Sequence, residues 1–171
     1  MTHTIFKSIK LINPATNFNQ KVNVVLQNNT IRISKDLNLK KFNIDNQTLI
    51  YDCEGLTMSP GIFDMRVNIG KTENLKFTQI TAAESGITSM AILPNQTPKL
   101  NNPSIIDHIK RQSEDINLPK VMVYGAATKD LNGLEISEIG LMSEMGAIGF
   151  TNGNKSIKNS LVMRRLMSLS L

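Results

Sequence analysis

The segment at positions 60–68, P-G-I-F-D-M-R-V-N, contains the polar side chains that are best placed for chemistry. Asp64, Arg66 and Asn68 alternate with apolar residues, so a β-strand here would place all three on one face, where they could meet an ion or a polar ligand. Arg66 is permanently charged and has no lone pair to offer a metal. At about 4 Å from a divalent cation and an effective dielectric constant of about 20, it would repel that cation by about 8 kcal/mol. The segment therefore predicts a polar strand face that does not bind a divalent metal.

The residues before this segment predict a small β-rich lobe at positions 1–58. Short β-branched or alternating runs predict strands over residues 5–12, 22–26, 31–34 and 49–52. Asn28 and Asn29 lie where a tight hairpin turn is expected, because asparagine tolerates a positive φ. Residues 36–46 are polar and predict a loose loop.

From residue 59 to residue 171 the pattern changes to apolar strands that alternate with amphipathic helices, which is typical of a parallel sheet. Strands are predicted over residues 62–69, 87–93, 121–127 and 147–150, and helices over residues 74–85, 102–116, 135–145 and 160–169. Gly86 and Gly146 are expected to end two of the helices, and Asn102 to cap a third. Four such units make half of an eight-stranded barrel, which needs about 250 residues.

Six short motifs follow one another along the chain. They are D-C-E-G at residues 52–55, P-G-I-F-D-M-R-V-N at 60–68, L-P-N-Q-T-P at 93–98 with N-N-P at 101–103, G-A-A-T-K at 125–129 with Leu131 and Gly133, G-A-I-G-F-T at 146–151, and L-V-M-R-R at 161–165. In this order they resemble the N-terminal part of dihydroorotases, cyclic-amide hydrolases of the amidohydrolase superfamily. The resemblance implies an α/β fold: a lobe that forms part of a composite β-sandwich, followed by the first four βα units of a metal-dependent-hydrolase TIM-type barrel.

The resemblance also identifies the positions of the family's site residues. Two histidines that bind a divalent metal, usually zinc, fall on Arg66 and Asn68, and a ligating aspartate falls on Asn152. The arginine that holds the substrate falls on Gly70, and the family's remaining ligands lie beyond Leu171. Asn95 alone matches, as a vestigial substrate-binding residue. We therefore expect no catalytic residue, no metal site and no cofactor, although zinc serves the active relatives.

Alternative interpretations remain for the individual residues. One interpretation is that Arg66 and Asn68 arose by sequence drift after activity was lost. The other is that the Arg66 side chain fills the space that the metal has left and pairs with Asp64. Asn95 is either a relic of the substrate site or a loop residue that satisfies backbone groups. His3 and His108 are expected to be surface residues, since neither has a second ligand nearby.

The D-M-R-V sequence resembles that of non-catalytic dihydroorotase homologues. Such proteins are structural or regulatory partners of aspartate transcarbamoylase in de novo pyrimidine biosynthesis, so this partner, or a second copy of the chain, is expected. A second interpretation is a truncated, non-functional remnant or fragment of a dihydroorotase gene. A third is an active cyclic-amide hydrolase that a partner chain completes.

The composition excludes several other classes of function. The net charge of +5 comes from basic residues that are scattered along the chain and are not interleaved with aromatic ones, so nucleic acid is not expected as a partner. The sequence contains no apolar run long enough for a signal peptide or a membrane helix. Cys53 is the single cysteine, which fits a reducing, cytoplasmic location.

Overall fold

The computed structural model describes residues 4–27, 30–35, 48–114 and 118–169. It divides the chain into two compact units, Met1–Pro60 and Gly61–Leu171. His3, the turn predicted at residues 28–29, the loop predicted at 36–46 and the predicted end of the second helix at 116 lie outside the described residues. None of the helices within the described ranges is long and apolar enough to cross a membrane.

The first unit contains one mixed β-sheet. Its strands are β1 (Thr4–Asn13), β2 (Phe18–Gln27), β3 (Thr30–Ser34), β4 (Leu49–Asp52) and β5 (Thr57–Met58). The order is β3-β2-β1-β4, with β5 paired to β1, and β1 runs antiparallel to β2 but parallel to β4. Cys53 is buried in the apolar cluster of this unit together with Ile9, Val22 and Val24, so it serves here as a small core residue.

The second unit consists of four βα repeats. They are β6 (Ile62–Val67) with α1 (Leu75–Glu84), β7 (Ile87–Ile92) with α2 (Pro103–Glu114), β8 (Lys120–Ala126) with α3 (Ile139–Glu144), and β9 (Ala147–Thr151) with α4 (Ser160–Leu169). The four strands are all parallel and lie in chain order, β6-β7-β8-β9. The predicted α/β class, with a β-rich part followed by parallel βα units, is therefore confirmed.

Local sequence signals set several of the helix ends. Gly86 and Gly146 follow α1 and α3 with φ values of 80° and 100°, a region that favours glycine. The Oδ1 atom of Asn102 accepts the Ser104 amide at 2.8 Å at the start of α2. Asn159 does the same for α4 by accepting the Leu161 amide at 2.9 Å. Each cap satisfies a backbone group that the helix itself leaves unpaired.

Helix α3 is shorter than the sequence predicted. The helix predicted over residues 135–145 begins at Ile139 instead. The preceding backbone is already hydrogen-bonded elsewhere: the carbonyl of Glu135 accepts the Lys129 amide at 2.8 Å, and the Ser137 amide donates to the Ala127 carbonyl at 3.2 Å. These bonds fold residues 135–137 back onto the loop that follows β8, so they cannot join the helix.

The core of the second unit lies between one face of its sheet and the helices. Its buried residues come from strands β7 and β8, from the segments that follow β6 and β7, and from helices α1, α2 and α3. They are Ile69, Leu75, Ala82, Met90, Ile92, Leu100, Ile106, Ile109, Val123 and Met142. Val67 and Phe150 pack against this cluster as partly buried residues. The residues that alternate with them along the strands lie on the opposite face of the sheet.

Gly125 in β8 gives a test of this packing. A Cβ atom at Gly125 would lie 2.8 Å from the Phe150 ring and 3.3 Å from the sulfur of Met142. We expect Gly125→Ala to lower the free energy of unfolding by about 1–3 kcal/mol because the core is overpacked. Gly140→Ala in α3 is the matched control, since no atom lies within 4 Å of its added Cβ, and we expect a gain of about 0.5–1 kcal/mol. Urea unfolding measures both, and equal effects would contradict the packing described.

Candidate functional site at the carboxyl ends of the strands

One polar residue follows each of the four parallel strands of the second unit. Asn68 comes after β6, Asn95 after β7, Thr128 after β8 and Asn152 after β9. The carboxyl ends of parallel strands meet at the same edge of a sheet, and ligands of such folds bind outside this edge. The four residues therefore mark the candidate site.

Arg66 and Asp64 lie on the sheet face that points away from the helices, since the alternating residue Val67 packs against the core. The predicted pairing of their side chains is wrong: the ion pairs formed by the described residues include no Arg66–Asp64 pair. Instead, Asp64 Oδ1 accepts the backbone amide of Arg66 at 3.0 Å. The guanidinium donates through Nη2 to Asn154 Oδ1 at 2.7 Å, which links β6 to the loop after β9.

Asn68 is engaged in a turn. Its Oδ1 accepts the amide of Gly70 at 2.9 Å, and Gly70 has a φ of 70°. This turn presents the Gly70 carbonyl to the amide of Thr97 at 2.8 Å, so the loops after β6 and β7 are joined. The side-chain oxygen of Asn68 thus holds the backbone of the turn at Gly70 in place.

Asn152 and Thr128 form a buried pair that joins the ends of β8 and β9. Asn152 is 6% exposed and Thr128 is fully buried. Asn152 Oδ1 accepts the backbone amide of Thr128 at 3.1 Å and its hydroxyl at 2.9 Å. The same hydroxyl oxygen accepts the amide of Gly133 at 2.9 Å. Sequence reasoning assigned no role to Thr128, and its only signal was its place in the motif after the third parallel strand.

Asn95 lies against the loop that follows β9. A Cβ atom at Gly153, whose φ is 62°, would lie 3.0 Å from Asn95 Oδ1, so the backbone conformation and the close approach both favour glycine at position 153. The oxygen of Asn95 is buried and has no hydrogen-bond partner among the described residues. Asn95 therefore does not satisfy a backbone group there, contrary to one of the two interpretations that the sequence left open.

Two of the lysines near this edge are paired with carboxylates. Lys129 Nζ lies 2.5 Å from Glu135 Oε1, and Lys99 Nζ lies 3.7 Å from Asp130 Oδ1. The hydrogen bond that Lys129 donates to Glu135, and then the negative charge of Glu135, raise the pKa of Lys129. His108 is exposed on α2, away from these residues in the chain.

The residues at the family's ligand positions do not fit zinc. Arg66 is a cation without a lone pair, and the side-chain oxygens of Asn68 and Asn152 already accept hydrogen bonds from the protein. Within the described ranges, no group of three His, Cys, Asp or Glu side chains could hold a metal ion. Structural zinc sites use four ligands, and catalytic sites use three protein ligands and a water.

Comparisons with known proteins identify the relatives of this chain. No protein-family model matches it. It is 27% identical over 176 residues to the dihydroorotase of Aquifex aeolicus, with 99% of this chain and 40% of the relative covered. It is 30% identical over 166 residues to the dihydroorotase of Endomicrobium trichonymphae, with 94% of this chain and 37% of the relative covered. The chain is thus a homologue of the N-terminal part of dihydroorotases and spans about two fifths of their length.

Solved structures agree on the fold. The L-hydantoinase (dihydropyrimidinase) of Arthrobacter aurescens matches with a TM-score of 0.67 at 20% identity, over 86% of this chain and 32% of that protein. A D-hydantoinase matches with a TM-score of 0.56 at 12% identity, over 89% of this chain and 41% of that protein. The second unit therefore has the fold of part of an amidohydrolase TIM-type barrel, as the sequence predicted.

Thr128 provides a stability test of the site. Thr128→Val keeps the shape of the side chain but leaves the Gly133 amide without its acceptor and removes one donor to Asn152. We expect a loss of about 1–3 kcal/mol in the free energy of unfolding because buried polar groups lose partners. Thr81→Val on the exposed face of α1 is the control, with an expected change within about 0.5 kcal/mol. Equal losses in urea unfolding would show that the Thr128–Asn152 pair does not hold the loops.

Metal content provides a second test of the site. We expect purified chain, dialysed after exposure to zinc, to retain far less than stoichiometric zinc by plasma mass spectrometry, because Arg66 repels a divalent ion. Arg66→His combined with Asn68→His is expected to give no hydrolase activity, since the resemblance aligns Asn152 with a third ligand and an asparagine remains there. Stoichiometric zinc in the unmodified chain would contradict this account of the site.

Proposed function

We propose that this chain is a non-catalytic dihydroorotase-like protein that acts as a structural or regulatory partner of aspartate transcarbamoylase in pyrimidine biosynthesis. The observation that supports the proposal is the hydrogen bond that Arg66 Nη2 donates to Asn154 Oδ1. The resemblance to dihydroorotases aligns this cation with a metal ligand of the active enzymes. The homology to proteins named dihydroorotase supports a link to pyrimidine biosynthesis. The partner is inferred from the resemblance of D-M-R-V to inactive homologues.

The chemistry of cyclic-amide hydrolysis supports the loss of activity. A metal ion would activate water for attack by lowering its pKa to near neutrality. Arg66 can neither ligate a metal nor accept a proton, because its guanidinium stays protonated. Asn68 and Asn152 are carboxamides, which are neutral in the physiological pH range and cannot act as general bases. None of these three side chains supplies an activated nucleophile.

Exposed apolar side chains on the two edge strands support a role in binding another protein. Ile62 and Met65 on β6 are 62% and 64% exposed, and Ile148 on β9 is 47% exposed. In the described sheet, β6 and β9 each have a neighbour on one side only. Apolar residues on unpaired edges are typical of surfaces that become covered. We propose that the transcarbamoylase covers them.

A different observation favours a second candidate function: the chain spans only 37–40% of the length of these two curated relatives. Under this interpretation the polypeptide is a fragment or remnant of a dihydroorotase and has no function of its own. A third candidate, an active hydrolase completed by a second chain that supplies the missing ligands, predicts activity only after mixing with that chain. A self-associated form would cover the same edge strands with a second copy.

Co-purification tests the partnership. We expect the tagged chain, isolated from native extract, to bring down aspartate transcarbamoylase. Met65→Lys should reduce the recovered transcarbamoylase at least tenfold, because it places a charge on the apolar edge of β6. Leu134→Lys is the matched control, since Leu134 is 71% exposed but lies in the loop after β8. If no transcarbamoylase is recovered, and this enzyme keeps its size and activity in the absence of the chain, the proposed role is wrong.

A further inference from the structure

The sequence contains two Asn–Gly dipeptides, and they lie in the loops that follow β8 and β9. They are Asn132–Gly133 and Asn152–Gly153. An asparagine that precedes glycine is prone to lose its side-chain amide group, because glycine has no Cβ to shield its backbone nitrogen from the neighbouring carboxamide. The two dipeptides have the same intrinsic chemistry, so the structure around each one decides which of them reacts.

The side chain of Asn152 is buried and held in place. Asn152 is 6% exposed, and its Oδ1 accepts the backbone amide of Thr128 at 3.1 Å and its hydroxyl at 2.9 Å. The amide of Gly153 donates to Thr151 Oγ1 at 3.1 Å. Any rotation of the Asn152 carboxamide towards the Gly153 nitrogen breaks the bonds to Thr128. Reaction at Asn152 is therefore coupled to the opening of the contact between β8 and β9.

Asn132 lies in an exposed and strained loop. The residue is exposed, and its Oδ1 accepts the amide of Leu134, two residues further on, at 2.9 Å. The two residues before it, Asp130 and Leu131, have φ values of 53° and 57°, a left-handed conformation that costs free energy in residues that carry a side chain. An exposed, strained loop opens at a lower cost than the buried end of a strand. The carboxamide of Asn132 is thus the more accessible of the two.

The Thr128 hydroxyl holds the attacking atom of this site, the amide nitrogen of Gly133. Gly133 is buried, and its amide donates to Thr128 Oγ1 at 2.9 Å. Asn132 has a ψ of −13°, which places the Gly133 nitrogen almost eclipsed with the backbone nitrogen of Asn132. A five-membered ring requires the Gly133 nitrogen to be nearly eclipsed with Cβ of Asn132 instead. Rotation to that conformation breaks the hydrogen bond to Thr128, so this bond controls access to the reaction.

We propose that Asn132 is a site of spontaneous deamidation and that the Thr128 hydroxyl controls its rate. When the loop opens, the Gly133 nitrogen loses its proton and attacks Asn132 Cγ, the bond from Cγ to Nδ2 breaks, and ammonia leaves. Water then opens the five-membered imide to give aspartate or isoaspartate, so water is the co-reactant. Either product adds one negative charge to the loop. Isoaspartate also adds a methylene group to the backbone, which moves Gly133 away from Thr128 and loosens the contact between β8 and β9.

This inference goes beyond the proposed function and does not depend on a partner or on the absence of a metal. Peptide mapping by chromatography and mass spectrometry, after incubation of the folded chain in mildly alkaline buffer, measures the conversion of each asparagine. We expect Asn132 to convert at least about tenfold faster than Asn152, because local opening of a loop costs less than opening of the buried strand ends. In concentrated urea the two sites should convert at similar rates. Equal rates in the folded chain, or faster conversion at Asn152, would overturn the proposal.

Two variants separate the hydroxyl of Thr128 from the shape of its side chain. Thr128→Val removes the acceptor of the Gly133 amide and should speed conversion at Asn132 about tenfold, whereas Thr128→Ser keeps the hydroxyl and should keep the slow rate. Thr81→Val, at an exposed threonine of α1, is the control and should leave the rate unchanged. An unchanged rate in folded Thr128→Val would overturn the role of the hydroxyl.

Hydrogen exchange of the Gly133 amide keeps the test decisive if Thr128→Val does not fold. In the unmodified chain, exchange of this amide and conversion of Asn132 both require the Gly133–Thr128 hydrogen bond to open. Small additions of urea should therefore speed the two processes in proportion. Conversion that does not follow the exchange would overturn the proposal.

Discussion

A single positive charge determines what the carboxyl edge of the parallel sheet can do. Arg66 lies on the face that points away from the helices, two residues after Asp64, and its guanidinium reaches the loop after the last described strand to bond Asn154. A guanidinium at this position opposes any divalent ion in its neighbourhood, because the Coulomb repulsion is several kcal/mol even at an effective dielectric constant of about 20. Arg66 also ties the first strand of the unit to the loop after the fourth.

The polar residues around Arg66 serve to position loops. Asn68 holds the turn at Gly70, which in turn receives the Thr97 amide from the next loop. Asn152 accepts two hydrogen bonds from Thr128, whose hydroxyl receives the Gly133 amide. Carboxamides at these positions therefore organise the backbone of the same four loops that carry the candidate site. The four βα repeats can keep their fold with these side chains, because the hydrogen bonds that connect these loops do not need a metal.

The sequence predicted the βα alternation well because its signals are local. Helix ends at Gly86 and Asn102 depend on residues within one turn of the chain, and every strand of the second unit begins and ends within about two residues of its predicted bounds. The start of α3 was mistaken because the backbone of residues 135–137 bonds to a loop that precedes it. Strand β5 has only two residues and exists through its pairing with β1, so no run of its own predicts it.

The candidate site was predictable in its residue types and not in its contacts. The alternation of Asp64, Arg66 and Asn68 with apolar residues predicted that the three side chains share one face of a strand. The hydrogen-bond partner of Arg66, Asn154, is 88 positions away along the chain, and no local sequence pattern indicates it. A crystal structure of the chain grown with zinc, with anomalous data collected at the zinc edge, tests the account most directly. We predict that Arg66 remains hydrogen-bonded to Asn154 and that no anomalous peak lies beside it. A zinc peak at about 2.0–2.2 Å from oxygens of Asn68 or Asn152, a normal zinc–oxygen distance, with Arg66 displaced, would contradict it.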